Sequence, residues 1–220
     1  MENIPASEIT ASLIKKKNIL KNDIFGNNEI ENTIFGKCKI EEKLMYPNIC
    51  EWIILESEKH ADKNGGWTHK RHKNYPTTDL PVRAINNIAV YLKNFTYYKI
   101  FPLMASHFNV DINYLDINDL FIVKYKFDEQ NHLEFHKDGN LISFNILLND
   151  RCEFEGGGTI IRCSNNDDKI EETLININKG DILIHSGKLM HSGNKITSGT
   201  RYIMVGFISY LAHYNEKTDL

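Results

Sequence analysis

At 220 residues, with 41% hydrophobic and 10% aromatic side chains, the chain is long enough for one domain with a substantial core and too apolar to be a disordered segment. A net charge of −3 provides no general nucleic-acid surface, so no nucleic-acid partner is expected. No apolar run approaches the roughly 20 residues that cross a bilayer, and the first 20 residues lack the apolar stretch and small-residue cleavage site of a signal peptide. The expectation is therefore an intracellular, cytoplasmic protein with no membrane partner. Cys38, Cys50, Cys152 and Cys163 lack C-x-x-C spacing, which favours thiols over a zinc site or redox pair.

Residues 1–45 carry weak signals. Ser7–Ile19 suits a short helix, and the similar pieces DIFGNNEIENT and TIFGKCKIEE read as short strands or a hairpin with bends near Gly26 and Gly36. A helix begins at Pro47, with Ile49, Trp52, Ile53 and Leu55 forming its apolar stripe, and should end before Gly65 and Gly66. The following GGWTHKRHKNYPTTDLPV is a loop ending at Pro81, either a plain surface connection or one wall of a substrate site. VRAINNIAVYLKNFTYYKIFPLMASHFNV reads as one long helix or two shorter ones broken near Pro102. From Leu120 the pattern changes to FIVKYKF, LEFH, LISFNILL, GTIIRC, TLININ, DILIH and YIMVGFI, short apolar runs separated by turn signals. Gly156, Gly157 and Gly158 allow a bend before one of them. The fold class is mainly β with flanking α: a single domain over 1–220, with mostly helical support over 1–118 and a β core over 119–212.

Within LEFHKDGNLISFNILLN, His136 and Asp138 stand two apart in an extended segment, so both project to one side. Such a pair can make two of the three legs of a 2-His-1-carboxylate iron site, whose open positions admit oxygen and a co-substrate. The third leg needs another strand, and GKLMHSG offers His191, with His185 of DILIHSG as competitor. Arg201, ten residues after His191, favours His191. The usual co-substrate of such an iron site is 2-oxoglutarate, and a guanidinium grips its distal carboxylate with two parallel hydrogen bonds. Tyr125 could add a phenolic hydrogen bond to that carboxylate, and Ser143 and Asn145, of matching strand parity, could line the same cofactor pocket.

YPTTDLPV, FIVKYKFDEQNHLEFHKD, LISFNILLN, FEGGGTIIR, KGDILIHSGKL and HSGNKITSGTRYIMVGF extend from about Tyr75 to Ile208. In these pieces the chain resembles the Fe(II)/2-oxoglutarate-dependent dioxygenases, and among them most of all the catalytic domain of procollagen lysyl hydroxylases. The resemblance implies a double-stranded β-helix (jelly-roll) core, His136, Asp138 and His191 as iron ligands, and Arg201 as the anchor of 2-oxoglutarate. It further implies Fe(II) with L-ascorbate as its reductant, a peptide or protein substrate, and a homodimer. The implied reaction is hydroxylation of a peptidyl lysine with release of succinate and CO2. Peptidyl proline and a free amino acid or other small molecule are the alternatives. Prolyl 4-hydroxylases commonly carry Lys where Arg201 stands, which favours the lysyl type.

Overall fold

Pro47, which has no N–H to leave unsatisfied, opens helix α1 (Pro47–Lys63). The helix stops where Gly65 and Gly66 take positive φ and the Gly66 N–H returns to the Ala61 carbonyl at 2.8 Å. These contacts belong to a computed structural model that describes residues 38–69, 71–72, 74–164 and 170–211. The expected helix at Ser7–Ile19 and the bends at Gly26 and Gly36 lie outside the described residues. Only the end of the second strand-like piece falls within them, as β1 (Cys38–Glu41).

The second helical region is continuous but not uniform. α2 (Asn86–Phe95) passes through a π turn at Thr96–Ile100 into α3 (Phe101–Phe108). Pro102 sits in the first turn of α3, where its ring would crowd a carbonyl one turn earlier, and the wider π turn relieves that contact. Asn109 then closes α3 in the left-handed conformation at φ 55°.

Among the described residues, eleven strands build two antiparallel sheets. Besides β1, they are β2 (Asp79–Pro81), β3 (Leu115–Lys126), β4 (Leu133–His136), β5 (Ile142–Leu147), β6 (Phe154–Gly156), β7 (Thr159–Ser164), β8 (Ile170–Ile175), β9 (Ile182–Ser186), β10 (Met190–Gly193) and β11 (Ile196–Tyr210). The larger sheet has the order β1-β9-β5-β11-β3-β2 with β6 joined to β11, and the smaller has the order β4-β10-β7-β8. Strand alternation gives the large sheet two different faces. Ile142, Phe144, Ile146, Ile182, Ile184, Met204 and Ile208 point outward and pack with Ile88, Leu92, Met104 and Phe108 of the helices. Phe121, Val123, Tyr125, Leu147, Leu183 and Ile203 form a second cluster on the inner face. Both faces of β5 are therefore buried, which explains why LISFNILL reads as a near-continuous apolar run.

Three boundaries differ from the expectation. The loop before the second helical region ends in strand β2, which Val123, Ile122 and Phe121 of β3 hold by pairing. β3 starts at Leu115, so a support/core boundary at 118/119 falls inside it; Leu115 is buried in the core, and the polar Asp116 and Asp119 are held by pairing with the end of β11. β11 starts at Ile196, before the YIMVGFI run that marked the last strand in the sequence, which puts Arg201 inside it. A tight constraint sets the centre of that strand: a Cβ on Gly206 would lie 2.1 Å from Phe144 Cε1, so only glycine leaves room for the ring.

Candidate metal centre and co-substrate pocket

β4 delivers His136 at its last residue, and β10 pairs so that His191 stands directly across from it. Asp138 lies just past the strand, its N–H bonded to the Gly187 carbonyl at 2.8 Å. One donor atom from each of the three lies within 4.8 Å of the others, and all three residues are buried. His136 Nε2 is 3.4 Å from Asp138 Oδ1, and His191 Nε2 is 3.6 Å from Asp138 Oδ2.

The protonation of this cluster follows from its partners. His136 Nδ1 is 2.7 Å from the Glu134 carbonyl and His191 Nδ1 is 2.9 Å from that of Leu189. A carbonyl only accepts, so both Nδ1 atoms carry hydrogen and both Nε2 atoms face the centre. Burial lowers His136, but its hydrogen bonds to Asp138 and the Glu134 carbonyl prevail and raise it, so in the metal-free protein His136 Nε2 holds a proton toward Asp138 that a metal would displace. Burial pushes the Asp138 carboxyl up, yet hydrogen bonds from His136 and Ser143 and the nearness of His191 and His185 hold it at about 2. Burial, reinforced by His185, lowers His191 to about 4. At neutral pH the cluster thus offers a carboxylate and a neutral His191 imidazole, hard-oxygen and nitrogen donors suited to a divalent first-row metal.

A cavity of about 440 Å³ opens beside these ligands and runs between the sheets. Arg201 lines one end of it. The side chain is 2% exposed, its Nε has no hydrogen-bond partner, and among the described residues no carboxylate pairs with it. Burial lowers the guanidinium to about 10, with Tyr125 opposing and Arg151 adding to the shift; it stays charged at neutral pH. Tyr125 is its register partner on β3, the ring 5.7 Å from the guanidinium carbon. Two glycines make room: a Cβ on Gly157 would sit 3.1 Å from Arg201 Cδ, and one on Gly193 3.0 Å from the Tyr125 hydroxyl. A buried cation without a protein counter-ion is costly unless a ligand supplies the charge. A dicarboxylate chelating the metal at its other end fits this arrangement, so the residues present suit both Fe(II) and 2-oxoglutarate.

Ser143 and Asn145 line the same cavity but not beside Arg201. Register places them opposite Phe207 and Val205, and Val205 is already four residues along β11 from Arg201, about 13 Å at strand rise. The Ser143 hydroxyl donates to Asp138, and Asn145 Oδ1 is buried without a partner. His185, the competing histidine, packs edge-on against His191 with ring centroids 4.4 Å apart but stands outside the ligand cluster. The loop after α1 forms part of the wall through Arg71, His72, Asn74, Tyr75 and Thr77. Tyr75 packs on His136 at 4.8 Å between ring centroids, and Arg71 ties the loop down to Asp79 and Asp119. Sequence reasoning missed Asn140, which donates to Ser143 Oγ at 3.0 Å; nothing in a Gly-Asn turn marks it as anything but a turn residue.

No protein-family model matches the chain. It is 30% identical over 183 residues to the human multifunctional procollagen lysine hydroxylase and glycosyltransferase LH3, and 34% identical over 171 residues to the procollagen-lysine,2-oxoglutarate 5-dioxygenase of Drosophila melanogaster. These alignments cover 75% and 72% of the chain, but only 22% of each relative. Among solved structures, HygX from Streptomyces hygroscopicus, with nickel and 2-oxoglutarate bound, superposes with a TM-score of 0.61 at 13% identity over 85% of this chain and 88% of that one. An oxidoreductase of the 2OG-Fe(II) oxygenase family from Burkholderia pseudomallei gives 0.58 at 11% over 85% and 91%.

Fold and facial triad together place the chain among the 2-oxoglutarate/Fe(II)-dependent dioxygenases. Within that family it is a distant homologue of the procollagen lysyl hydroxylase catalytic domains.

Proposed function

We propose that the protein hydroxylates a peptidyl lysine, consuming 2-oxoglutarate and O2 and releasing succinate and CO2. The observation that carries the co-substrate is the buried guanidinium of Arg201, its Nε without a hydrogen-bond partner, in a cavity whose wall holds the His136–Asp138–His191 cluster. Lysine as acceptor is supported by the lysyl hydroxylase relatives, and these relatives also make a protein substrate the fitting partner. L-Ascorbate, as reductant of an iron centre that oxidises without substrate, belongs to the same proposal, as does a homodimer.

When bound, the iron and 2-oxoglutarate supply the oxidising power; the chain supplies position and shelter. His136 and His191 present Nε2 because backbone carbonyls hold their Nδ1 hydrogens, and Asp138 remains ionised at any physiological pH. Arg201 and Tyr125 orient the distal carboxylate from one end of the cavity. Phe121, Val205 and Phe207 face the cavity with apolar surface, which excludes water from the reacting C–H bond. Tyr75 covers His136 at the mouth and gives an incoming peptide a ring to lie against.

Incubation with Fe(II), ascorbate, 2-oxoglutarate and a panel of lysine- and proline-containing peptides tests the acceptor by mass spectrometry. Addition of one oxygen atom to lysine is expected. Oxygen on proline would move the assignment to a prolyl hydroxylase. Succinate formed equally without any peptide, with none of the peptides modified, would overturn a peptidyl acceptor.

A further inference from the structure

We infer that Ser143, held in place by Asn140, is a positioning residue that restricts Asp138 to a single-oxygen metal ligand. The inference rests on the metal-centre reading and extends it to what keeps the remaining coordination positions open. Three buried side chains form a relay of one direction: Asn140 Nδ2 donates to Ser143 Oγ at 3.0 Å, and the Ser143 hydroxyl donates to Asp138 Oδ2. They are 6%, 2% and 8% exposed, so all three are buried and held by one another. Both oxygens face the imidazoles, Oδ1 at 3.4 Å from His136 Nε2 and Oδ2 at 3.6 Å from His191 Nε2, but Oδ2 alone is engaged by Ser143, which leaves Oδ1 as the oxygen to bind metal. A carboxylate that rotated to bind through both oxygens would fill a position that a chelating co-substrate or oxygen needs.

The backbone reinforces the same geometry. The Asp138 N–H is bonded to the Gly187 carbonyl at 2.8 Å, and the Gly187 N–H to the Leu141 carbonyl at 2.9 Å. A Cβ on Gly187 would fall 2.2 Å from the Asn140 carbonyl oxygen and 3.4 Å from Asp138 Cβ. The turn carrying Asp138 and Asn140 therefore lies directly on the Gly187 backbone, and the relay begins from a fixed point. Asn140 has a second anchor, since its Nδ2 also donates to the Ile142 carbonyl. Groups that orient metal ligands in this way typically change metal affinity by about 10–100-fold when removed.

Titration of the metal-free protein with Co(II) and Mn(II) tests the assignment, read by binding affinity and by the d–d spectrum of the Co(II) form. Ser143→Ala should weaken Mn(II) binding by about tenfold or more and change the Co(II) spectrum. Asn140→Ala, which loosens Ser143 without removing it, should give a smaller loss in the same direction. Ser143→Thr, which keeps the hydroxyl, should restore both affinity and spectrum. A Ser143→Ala protein that binds Mn(II) within twofold of the parent with an unchanged Co(II) spectrum would overturn the positioning role, while absence of Co(II) binding by the parent would overturn the metal centre itself.

Discussion

Replacing Arg201 with Met separates the two consequences of burying a cation for an absent partner. The side chain is 2% exposed and its Nε is unsatisfied, and a buried donor without a partner costs about 1–3 kcal/mol. Met keeps most of the stem that packs against Gly157 and Tyr125 and removes that cost. The metal-loaded, co-substrate-free variant should thus be as stable as the parent or more stable by up to about 2 kcal/mol, a rise of up to about 8 °C in melting temperature for a chain of this size. With 2-oxoglutarate the order reverses. At a concentration a hundredfold above Kd the ligand stabilises the parent by about 2.7 kcal/mol. Loss of a charge-assisted, two-pronged contact worth about 3 kcal/mol lowers affinity roughly a hundredfold, leaving about 0.4 kcal/mol, or about 1 °C, in the variant. Scanning calorimetry with Zn(II) as an inert metal reads both effects. A variant destabilised by the 3–5 kcal/mol expected for a broken buried ion pair, with its 2-oxoglutarate shift intact, would refute the account of Arg201.

Histidine choice is decided by metal titration: His191→Ala should lose Mn(II) binding, whereas His185→Ala should retain it, because His185 stands outside the ligand cluster. Glu58 joins α1 to the sheet by accepting from Trp67 Nε1 at 3.1 Å, Lys124 Nζ at 2.7 Å and the Tyr202 hydroxyl at 2.5 Å. Burial opposes its ionisation, but these three donors prevail and keep the carboxyl below its usual range. Such a group stabilises the fold above its unfolded pKa and loses the effect as pH falls through the folded value. Urea unfolding of Glu58→Gln should therefore show a deficit of about 1 kcal/mol at neutral pH, shrinking below about pH 4.3; a constant deficit would exclude the ionised form as its cause. Gly206→Ala forces a methyl into the Phe144 ring and should cost about 1–3 kcal/mol of overpacking in the same assay. An unchanged denaturation midpoint would show that the ring can move aside.

Much of the site was readable because its chemistry is written in side chains of fixed spacing. His136 and Asp138 declare a shared face by standing two apart, and Arg201 follows His191 closely enough for two successive strands, one in each sheet, to bring both to the cavity. The helix from Pro47 was equally plain, since Pro47 and Gly65 mark its ends. What stayed hidden depends on partners far along the chain. β2 is a strand because β3 lies beside it, and the polar Asp116 and Asp119 near the start of β3 are paired with the end of β11. The parity that placed Ser143 in the cavity could not tell its distance from Arg201, since register sets that distance. Likewise Asn140 acquires its role only when Gly187, from β9's exit, packs on the turn that holds it.

The most direct test of the central claim needs no knowledge of the acceptor. Fe(II) and then 2-oxoglutarate are added to the protein without oxygen, and the visible charge-transfer absorption of the chelated co-substrate is followed. The account predicts a saturable band at one equivalent of each, absent in His191→Ala and requiring far more 2-oxoglutarate in Arg201→Met. A folded parent protein that shows no band at saturating Fe(II) and 2-oxoglutarate would contradict it.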